Sequence, residues 1–300
     1  MKRKEKIAVF LVIEFGLVAL CTLPLFLLHA EPAGPLMLLI SVVFMFLPAL
    51  TTLIVKRLSH DSGGLFLQLN MRKAWKQYLL AAFIPGVLEG IGVTLYFLIF
   101  PTHFDLSLTY VAQLLTLNGQ TAELPQFSLP VVIGAGLIVI LAAPLVIVNH
   151  VAAFGEEIGW RGFLLPLLTE ELGIQKVVLL NGILWGIAHA PLVCFGLNYT
   201  GDYPGAPWSG ILMMVLFATS IGIFLSYLTL KSRSIFPACI AHGAINAIRE
   251  APLLICLDTY NALLGPKPSG LIGMTGFLIL GAVILAGFAQ YSRDAGKQSD

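Results

Sequence analysis

The chain has 300 residues, of which 58% are hydrophobic and 11% are charged. A soluble domain usually carries about 25% charged residues, and the mean hydropathy of +0.90 excludes an ordinary soluble protein. The net charge of +1 gives no indication of a nucleic-acid partner, so the partner that composition does predict is the lipid bilayer.

Eight apolar runs are long enough to supply the roughly 20 residues that a helix needs to cross a bilayer. They cover residues 7–29, 36–55, 78–100, 130–149, 177–197, 209–230, 235–257 and 270–291. We therefore predict an all-α, polytopic membrane protein with about eight transmembrane helices in a single domain, 1–300. The first run is too long for a signal peptide and no cleavage site follows it, which favours a retained anchor helix.

The basic residues are distributed unevenly between the two predicted sides of the membrane. With eight spans, 14 of the 17 Lys and Arg residues fall on the side of the N-terminus. The opposite side holds only Lys267, and its long loop 101–129 has none. Because short basic loops stay on the cytoplasmic side of a membrane, we expect both termini in the cytoplasm.

Two adjacent glutamates and an arginine interrupt the apolar sequence in "FGEEIGWRGFLLP", residues 154–166. A buried ionised carboxylate is costly unless it is paired or hydrogen-bonded. Glu157 and Arg161 are four residues apart, so on a helix they share a face and can pair, whereas Glu156 points roughly 100° away. We predict that Arg161 holds Glu157 and that Glu156 faces another group. The alternative, that both glutamates pair with the arginine and backbone donors, remains open.

Further polar residues lie inside the later runs at helical spacing. Asn181, Trp185 and His189 form one row, and His242 and Asn246 form another. Ionisable residues within spans indicate functional sites because they are expensive to keep there. A lone buried histidine is more often a satisfied core residue, but two histidines, each with an amide on its own face, favour a chemical role. Two other glutamates within spans, Glu14 and Glu89, join no motif.

The three motifs read "EEIGWR" at 156–161, "WGIAH" at 185–189 and "HGAIN" at 242–246. This ordered set resembles the CAAX protease and bacteriocin-processing (CPBP) family, which includes the type II CAAX prenyl endopeptidases. Trp185 stands where phenylalanine is commoner, which we treat as a minor departure, and Asn246 matches the usual asparagine or aspartate. The resemblance implies a catalytic core at 130–257 that carries the EExxxR, WxxxH and HxxxN motifs. The compact chain, in which we identify no targeting extension, favours a bacterial plasma membrane.

The resemblance also implies an activity, intramembrane hydrolysis of a peptide bond in a membrane-associated or lipid-modified protein or peptide. In that interpretation Glu156 is the general base that activates a water, and His189 orients the water. His242 and Asn246 donate hydrogen bonds to the tetrahedral oxyanion. Because His242 follows the inner residues Lys231 and Arg233 by only a few turns, we expect the site in the cytoplasmic half of the bilayer.

The same resemblance gives Glu157 and Arg161 a supporting role, in which they hold the motif helix in place. No cofactor is favoured, because the H-E-x-x-H pattern of many zinc peptidases is absent. Zinc stays possible, and its ligands would then be Glu156, His189 and His242, which are residue types that bind it.

Two other functions remain open. The first is a non-catalytic membrane immunity factor or scaffold of the same fold, although a scaffold has no need of uncompensated polar groups inside its spans. The second is a transporter that relays protons through Glu89 and Glu156. A transporter of this kind would favour inverted repeats, and the sequence shows none.

Overall fold

The computed structural model describes residues 1–32, 34–117, 124, 126–200, 203–257 and 260–297, and these form helices with no named strand. The helices are α1 (Arg3–Leu27), α2 (Pro35–Phe44), α3 (Leu47–Ser59), α4 (Met71–Ile99), α5 (Thr109–Leu117), α6 (Leu129–Ala142), α7 (Ile147–Glu157), α8 (Leu165–Thr169), α9 (Ile174–Ala188), α10 (Ala190–Val193), α11 (Trp208–Ser232), α12 (Phe236–Ile248) and α13 (Thr275–Lys297). A π-helical segment, Ile158–Leu164, joins α7 to α8. Part of the predicted loop 101–129 lies outside the described residues.

Within the described residues, four helical segments are long and apolar enough to cross a membrane, and the number rises to five if one bent pair is a single span. The four are Arg3–Leu27, Pro35–Ser59, Met71–Ile99 and Trp208–Ser232; the bent pair is Leu129–Leu145 with Ile147–Thr169, at 54°. The all-α, polytopic membrane class is thus confirmed. The count of eight transmembrane helices is not confirmed, although every predicted run contains a helix.

Two of the predicted runs contain helices that are shorter than expected, and each ends near a proline. The helix of run 177–197 stops at Ala188, and Pro191 follows two residues after the break at His189. The helix of run 235–257 stops at Ile248, where Pro252 has no N–H for the carbonyl of that residue. A proline removes an i→i−4 hydrogen bond and clashes with the preceding turn, so both breaks have a local cause.

Segments that the predicted topology places on the same side of the membrane contact one another. At one end, contacts join segments that were all placed on the N-terminal side: Lys6 with Asp61 at 2.5 Å, Arg3 with Glu171 at 3.4 Å, and Asn70 with the carbonyl of Ser232 at 3.1 Å. At the opposite end, the hydroxyl of Tyr199 donates to the carbonyl of Ser269 at 2.8 Å. Which end faces the cytoplasm stays a prediction.

Glycines allow the double-glutamate segment to approach its neighbours closely. Gly155 and Gly159 are four residues apart and face the junction of α2 and α3. A Cβ on Gly155 would lie 2.5 Å from the carbonyl oxygen of Met45, and one on Gly159 would lie 2.4 Å from the Cβ of Pro48. Small residues at such interfaces let helix backbones approach each other in membrane proteins, so this face is fixed by packing and Glu156 projects from another side.

A second pair of glycines brings α9 against α11. A Cβ on Gly182 would lie 2.7 Å from the Cα of Thr219, and one on Gly186 would lie 2.6 Å from the Cα of Val215. The order of these contacts makes the two helices antiparallel. The glycines flank Trp185, so the same close packing fixes the position of its side chain.

Candidate active site

The four residues predicted to be catalytic line one cavity of about 180 Å³ between α2, α7, α9, α11 and α12. They are Glu156, His189, His242 and Asn246. The first three are buried, at 2%, 8% and 4% exposure, and Asn246 is half-buried. The structure therefore brings together side chains from three motifs that lie far apart in sequence, while the role of each stays a prediction.

One carboxylate oxygen of Glu157 contacts two side chains. Arg161 Nη1 donates to Glu157 Oε1 at 3.0 Å, as the four-residue spacing predicts, and His242 Nδ1 lies 2.9 Å from the same atom. The contact with His242 was not predicted. Because an ionised carboxylate can only accept hydrogen bonds, Nδ1 of His242 carries the proton. Glu157 therefore ties α7 to α12 and fixes which nitrogen of His242 remains available to the cavity.

Trp185 contacts four other side chains of the site. Its indole Nε1–H donates to Glu156 Oε2, and its ring lies 4.3 Å from the guanidinium carbon of Arg161. The same ring makes edge contacts with His189 and His242, at centroid distances of 5.7 and 5.2 Å. The substitution for phenylalanine is thus more than the minor departure expected from sequence, because phenylalanine has no N–H to give Glu156.

His189 directly follows α9, and its Nδ1 lies 2.8 Å from the carbonyl oxygen of Trp185. A carbonyl accepts, so Nδ1 is the protonated nitrogen and Nε2 is left for the cavity. The third member of the predicted row, Asn181, has a different role, because its Nδ2 donates to the carbonyl of Trp160 at 2.9 Å. Asn181 thereby anchors α9 to the π-helical segment instead of lining the cavity.

His189 lies far from Lys231 along the axis of α11. Gly186 of α9 packs on Val215 of α11, so His189 lies beside the first half of α11. Lys231 is 16 positions further along that helix than Val215, roughly 24 Å at about 1.5 Å per residue. The half of the bilayer that holds the site stays a prediction, and the sequence argument for it used α12 alone.

The geometry also bears on the alternative zinc site. Both imidazoles have Nδ1 engaged and Nε2 free, which is also how metal-bound histidines are oriented. However, the described part of the chain contains no group of three or more His, Cys, Asp and Glu side chains that could hold a metal ion. Glu156, His189 and His242 thus do not form such a group here, and metal-free catalysis stays a prediction.

The two glutamates outside the motifs lie elsewhere. Glu89 lines a separate apolar cavity of about 310 Å³ between α4, α6 and the end of α12. Glu14 on α1 accepts a hydrogen bond from Thr51 on α3 at 2.6 Å. Since Glu89 and Glu156 line different cavities, the geometry gives no support to a proton relay through this pair.

Comparison with known proteins identifies the segment that carries the site. Residues 125–248 match the family described as Type II CAAX prenyl endopeptidase Rce1-like. The chain carries an Rce1-like domain. The resemblance based on the three motifs is thereby confirmed, and the Rce1-like domain contains every residue predicted to be catalytic.

A curated relative also indicates a similarity to CAAX prenyl proteases. Over 118 residues the chain is 34% identical to a protein of Methanococcus maripaludis named CAAX prenyl protease 2. The matched region is 39% of this chain and 43% of that protein, so the likeness covers less than half the length of the curated relative.

Trp185→Phe is expected to lower kcat about 10- to 100-fold with a smaller change in KM. The reason is the loss of the indole hydrogen bond to Glu156, since hydrogen bonds to charged groups contribute about 1.5–3 kcal/mol. The measurement is the cleavage rate of purified variants, with Trp208→Phe as the matched control, because Trp208 is 76% exposed. Equal rates for the two variants would contradict the role of Trp185.

Proposed function

We propose that this protein is an intramembrane endopeptidase that hydrolyses a peptide bond in a membrane-associated or lipid-modified protein. The main observation is that Glu156, His189, His242 and Asn246 line one buried cavity within an Rce1-like domain. The relative's name, CAAX prenyl protease 2, supports a prenylated protein as the substrate class. We also propose that the core, 130–257, lies within a single membrane domain of eight crossings.

In the proposed reaction Glu156 takes a proton from water as the water attacks the scissile carbonyl carbon. Trp185 occupies Oε2 of Glu156, which leaves Oε1 for the water. The free Nε2 of His189 accepts the second hydrogen of that water, because Nδ1 carries the ring proton. Glu156 and His189 together aim a lone pair at the carbonyl carbon, which is the arrangement that general-base catalysis needs.

The oxyanion that forms would be bound from the side of α12. The amide of Asn246 can donate directly, whereas His242 can donate from Nε2 only as an imidazolium, since Nδ1–H is already directed at Glu157. Fixed donors in a dry site are worth about 2.7–4 kcal/mol each to such an intermediate.

The function can be tested in membranes before any substrate is identified. Cells that express wild type, Glu156→Gln or Glu89→Gln are compared by mass spectrometry of protein termini in the membrane fraction. Glu89→Gln is the matched control, because Glu89 is also buried but lines the other cavity. New termini should appear with wild type and Glu89→Gln and be absent with Glu156→Gln. If wild type produces no new termini, and a change that it causes in the cells persists with Glu156→Gln, the non-catalytic scaffold would be favoured.

Chelator treatment is expected to leave cleavage unchanged, since the described residues do not assemble a metal site. The measurement is the rate of the purified protein with and without a strong chelator, together with metal analysis of the untreated sample. Stoichiometric zinc whose removal abolishes cleavage, and whose return restores it, would overturn metal-free catalysis and make Glu156, His189 and His242 ligands.

We further propose that the protein lies in a bacterial plasma membrane with both termini on the cytoplasmic side. In that orientation Cys194, which is exposed and lies near the predicted outer end of run 177–197, faces outward. A membrane-impermeant maleimide should therefore label wild type on intact cells and fail to label Cys194→Ser. Labelling that appears only after the cells are opened would reverse the orientation.

A further inference from the structure

A second cavity, of about 850 Å³, adjoins the candidate active site. It is lined by α2, α5, residues 196–200, 203–204 and 260–267, and the end of α12. The two cavities share four lining residues, namely Ser41, Leu197, Asn198 and Arg249. A peptide held across the active site can therefore continue into the larger cavity, and Arg249 lies where it would pass.

The charges of the larger cavity do not cancel. Its charged lining residues within the described chain are Arg249, Glu250 and Lys267. Lys267 Nζ lies 3.3 Å from both oxygens of Glu250, and Lys267 is buried at 5% exposure, so this pair is held in place. Arg249 reaches Glu250 through Nε alone, at 3.6 Å. Two cations thus share one carboxylate, and the cavity has a net charge of +1.

The excess positive charge is available at the guanidinium end of Arg249. Its Nη1 and Nη2 make no hydrogen bond to any residue that the structure describes. The guanidinium group always carries its charge, and its planar fork matches a carboxylate with two parallel hydrogen bonds. The opening between the cavities therefore presents an unused donor pair that suits an anionic, planar group.

The position of Arg249 limits where that group can lie on a substrate. Arg249 is three residues beyond Asn246, so the two lie on neighbouring positions of one helix face, about 4.5 Å apart along the axis. An extended peptide advances about 3.3 Å per residue. That separation equals about one or two residues of such a peptide, and the reach of the arginine side chain widens the range to about three positions from the bond at Asn246.

We propose that Arg249 binds a carboxylate of the substrate in the larger cavity, within about three residues of the scissile bond. The inference rests on the proposed endopeptidase function and makes Arg249 a residue that determines specificity, with no part in the bond cleavage. The carboxylate has two sources, the C-terminus of the substrate chain or an aspartate or glutamate side chain near it.

The test uses three prenylated CAAX peptides of otherwise identical sequence: a free acid, a C-terminal amide, and an amide with aspartate as the last residue. Wild type should cleave the free acid with a kcat/KM about 10- to 100-fold above that of the plain amide. Arg249→Gln should reduce the free acid to the rate of the amide and leave the amide unchanged. Arg249→Lys keeps the positive charge and loses the planar pair of donors. It should therefore retain part of the preference for the free acid over the amide.

Arg233→Gln is the matched control, because Arg233 is an exposed arginine at the opposite end of the protein. It should leave the ratio of acid to amide cleavage as in wild type. Rapid cleavage of the aspartyl amide would show that a side-chain carboxylate suffices, whereas slow cleavage would identify the chain terminus as the source.

Three results separate the inference from the function on which it rests. If wild type cleaves the acid and the amide equally, Arg249 does not recognise a carboxylate, although the endopeptidase function stands. If Arg249→Gln slows both peptides by the same factor, its role is structural and the inference is also overturned. If wild type cleaves none of the peptides or membrane proteins, the proposed function itself fails.

Discussion

Glu156→Gln is expected to lower kcat by about 10³-fold or more while the purified protein stays folded. General-base catalysis contributes about 10²–10⁴-fold, and glutamine cannot take a proton from water. The amide oxygen of glutamine still accepts the indole N–H that Trp185 now gives to Glu156, so the geometry of the site is retained. Removal of a buried charge also removes a desolvation cost, and therefore the folded yield should not fall.

The measurement is the cleavage rate of a prenylated CAAX peptide by purified wild type and Glu156→Gln, with thermal unfolding of both proteins. Glu89→Gln should keep the wild-type rate. Asn246→Ala should lose less than Glu156→Gln, about 10²–10³-fold in kcat with little change in KM, as expected for a contact made mainly in the transition state. A Glu156→Gln protein that retains a tenth of the wild-type rate would exclude Glu156 as the base.

The spacing of residues along one helix predicts those contacts of the site that both partners make from that helix. The Glu157–Arg161 pair follows from a separation of four residues, and the structure contains it. The family resemblance carried by the three motifs implies that the histidines and Glu156 meet, and they line one cavity. The shortened helices could also have been anticipated, because Pro191 follows His189 by two residues and Pro252 follows Ile248 by four.

The contacts that sequence reasoning missed are those between helices. His242 meets Glu157 across 85 residues of sequence, and Trp185 meets Glu156 across 29. No periodicity along one helix encodes such contacts, since they depend on how α7, α9 and α12 pack. One signal was present: an indole N–H needs a partner when it is buried, and Trp185 was already placed on the face of His189.

Glu157→Gln is expected to lower folded yield and thermal stability far more than Glu156→Gln does. Glu157 and Arg161 are both fully buried, at 0% exposure. Breaking a buried ion pair by removing one partner costs about 3–5 kcal/mol, because the other charge is left without compensation. Arg161 would keep a weaker hydrogen bond to the amide oxygen and the face of the Trp185 ring, but it would lose its ionised partner, and its Nε and Nη2 already lack hydrogen-bond partners in the described residues.

The matched control is Glu170→Gln, which removes a carboxylate that pairs with Arg3 at the exposed end of the protein. Exposed pairs are worth about 0–1 kcal/mol, so this variant should unfold close to the temperature of wild type. The double variant Glu157→Gln with Arg161→Met should regain much of the lost stability, because no unpaired charge is then buried. Its cleavage rate should stay low, since Glu157 also fixes His242 Nδ1. If Glu157→Gln were as stable as Glu170→Gln, the buried pair would not be what holds the motif helix, and the separate roles of the two adjacent glutamates would have to be abandoned.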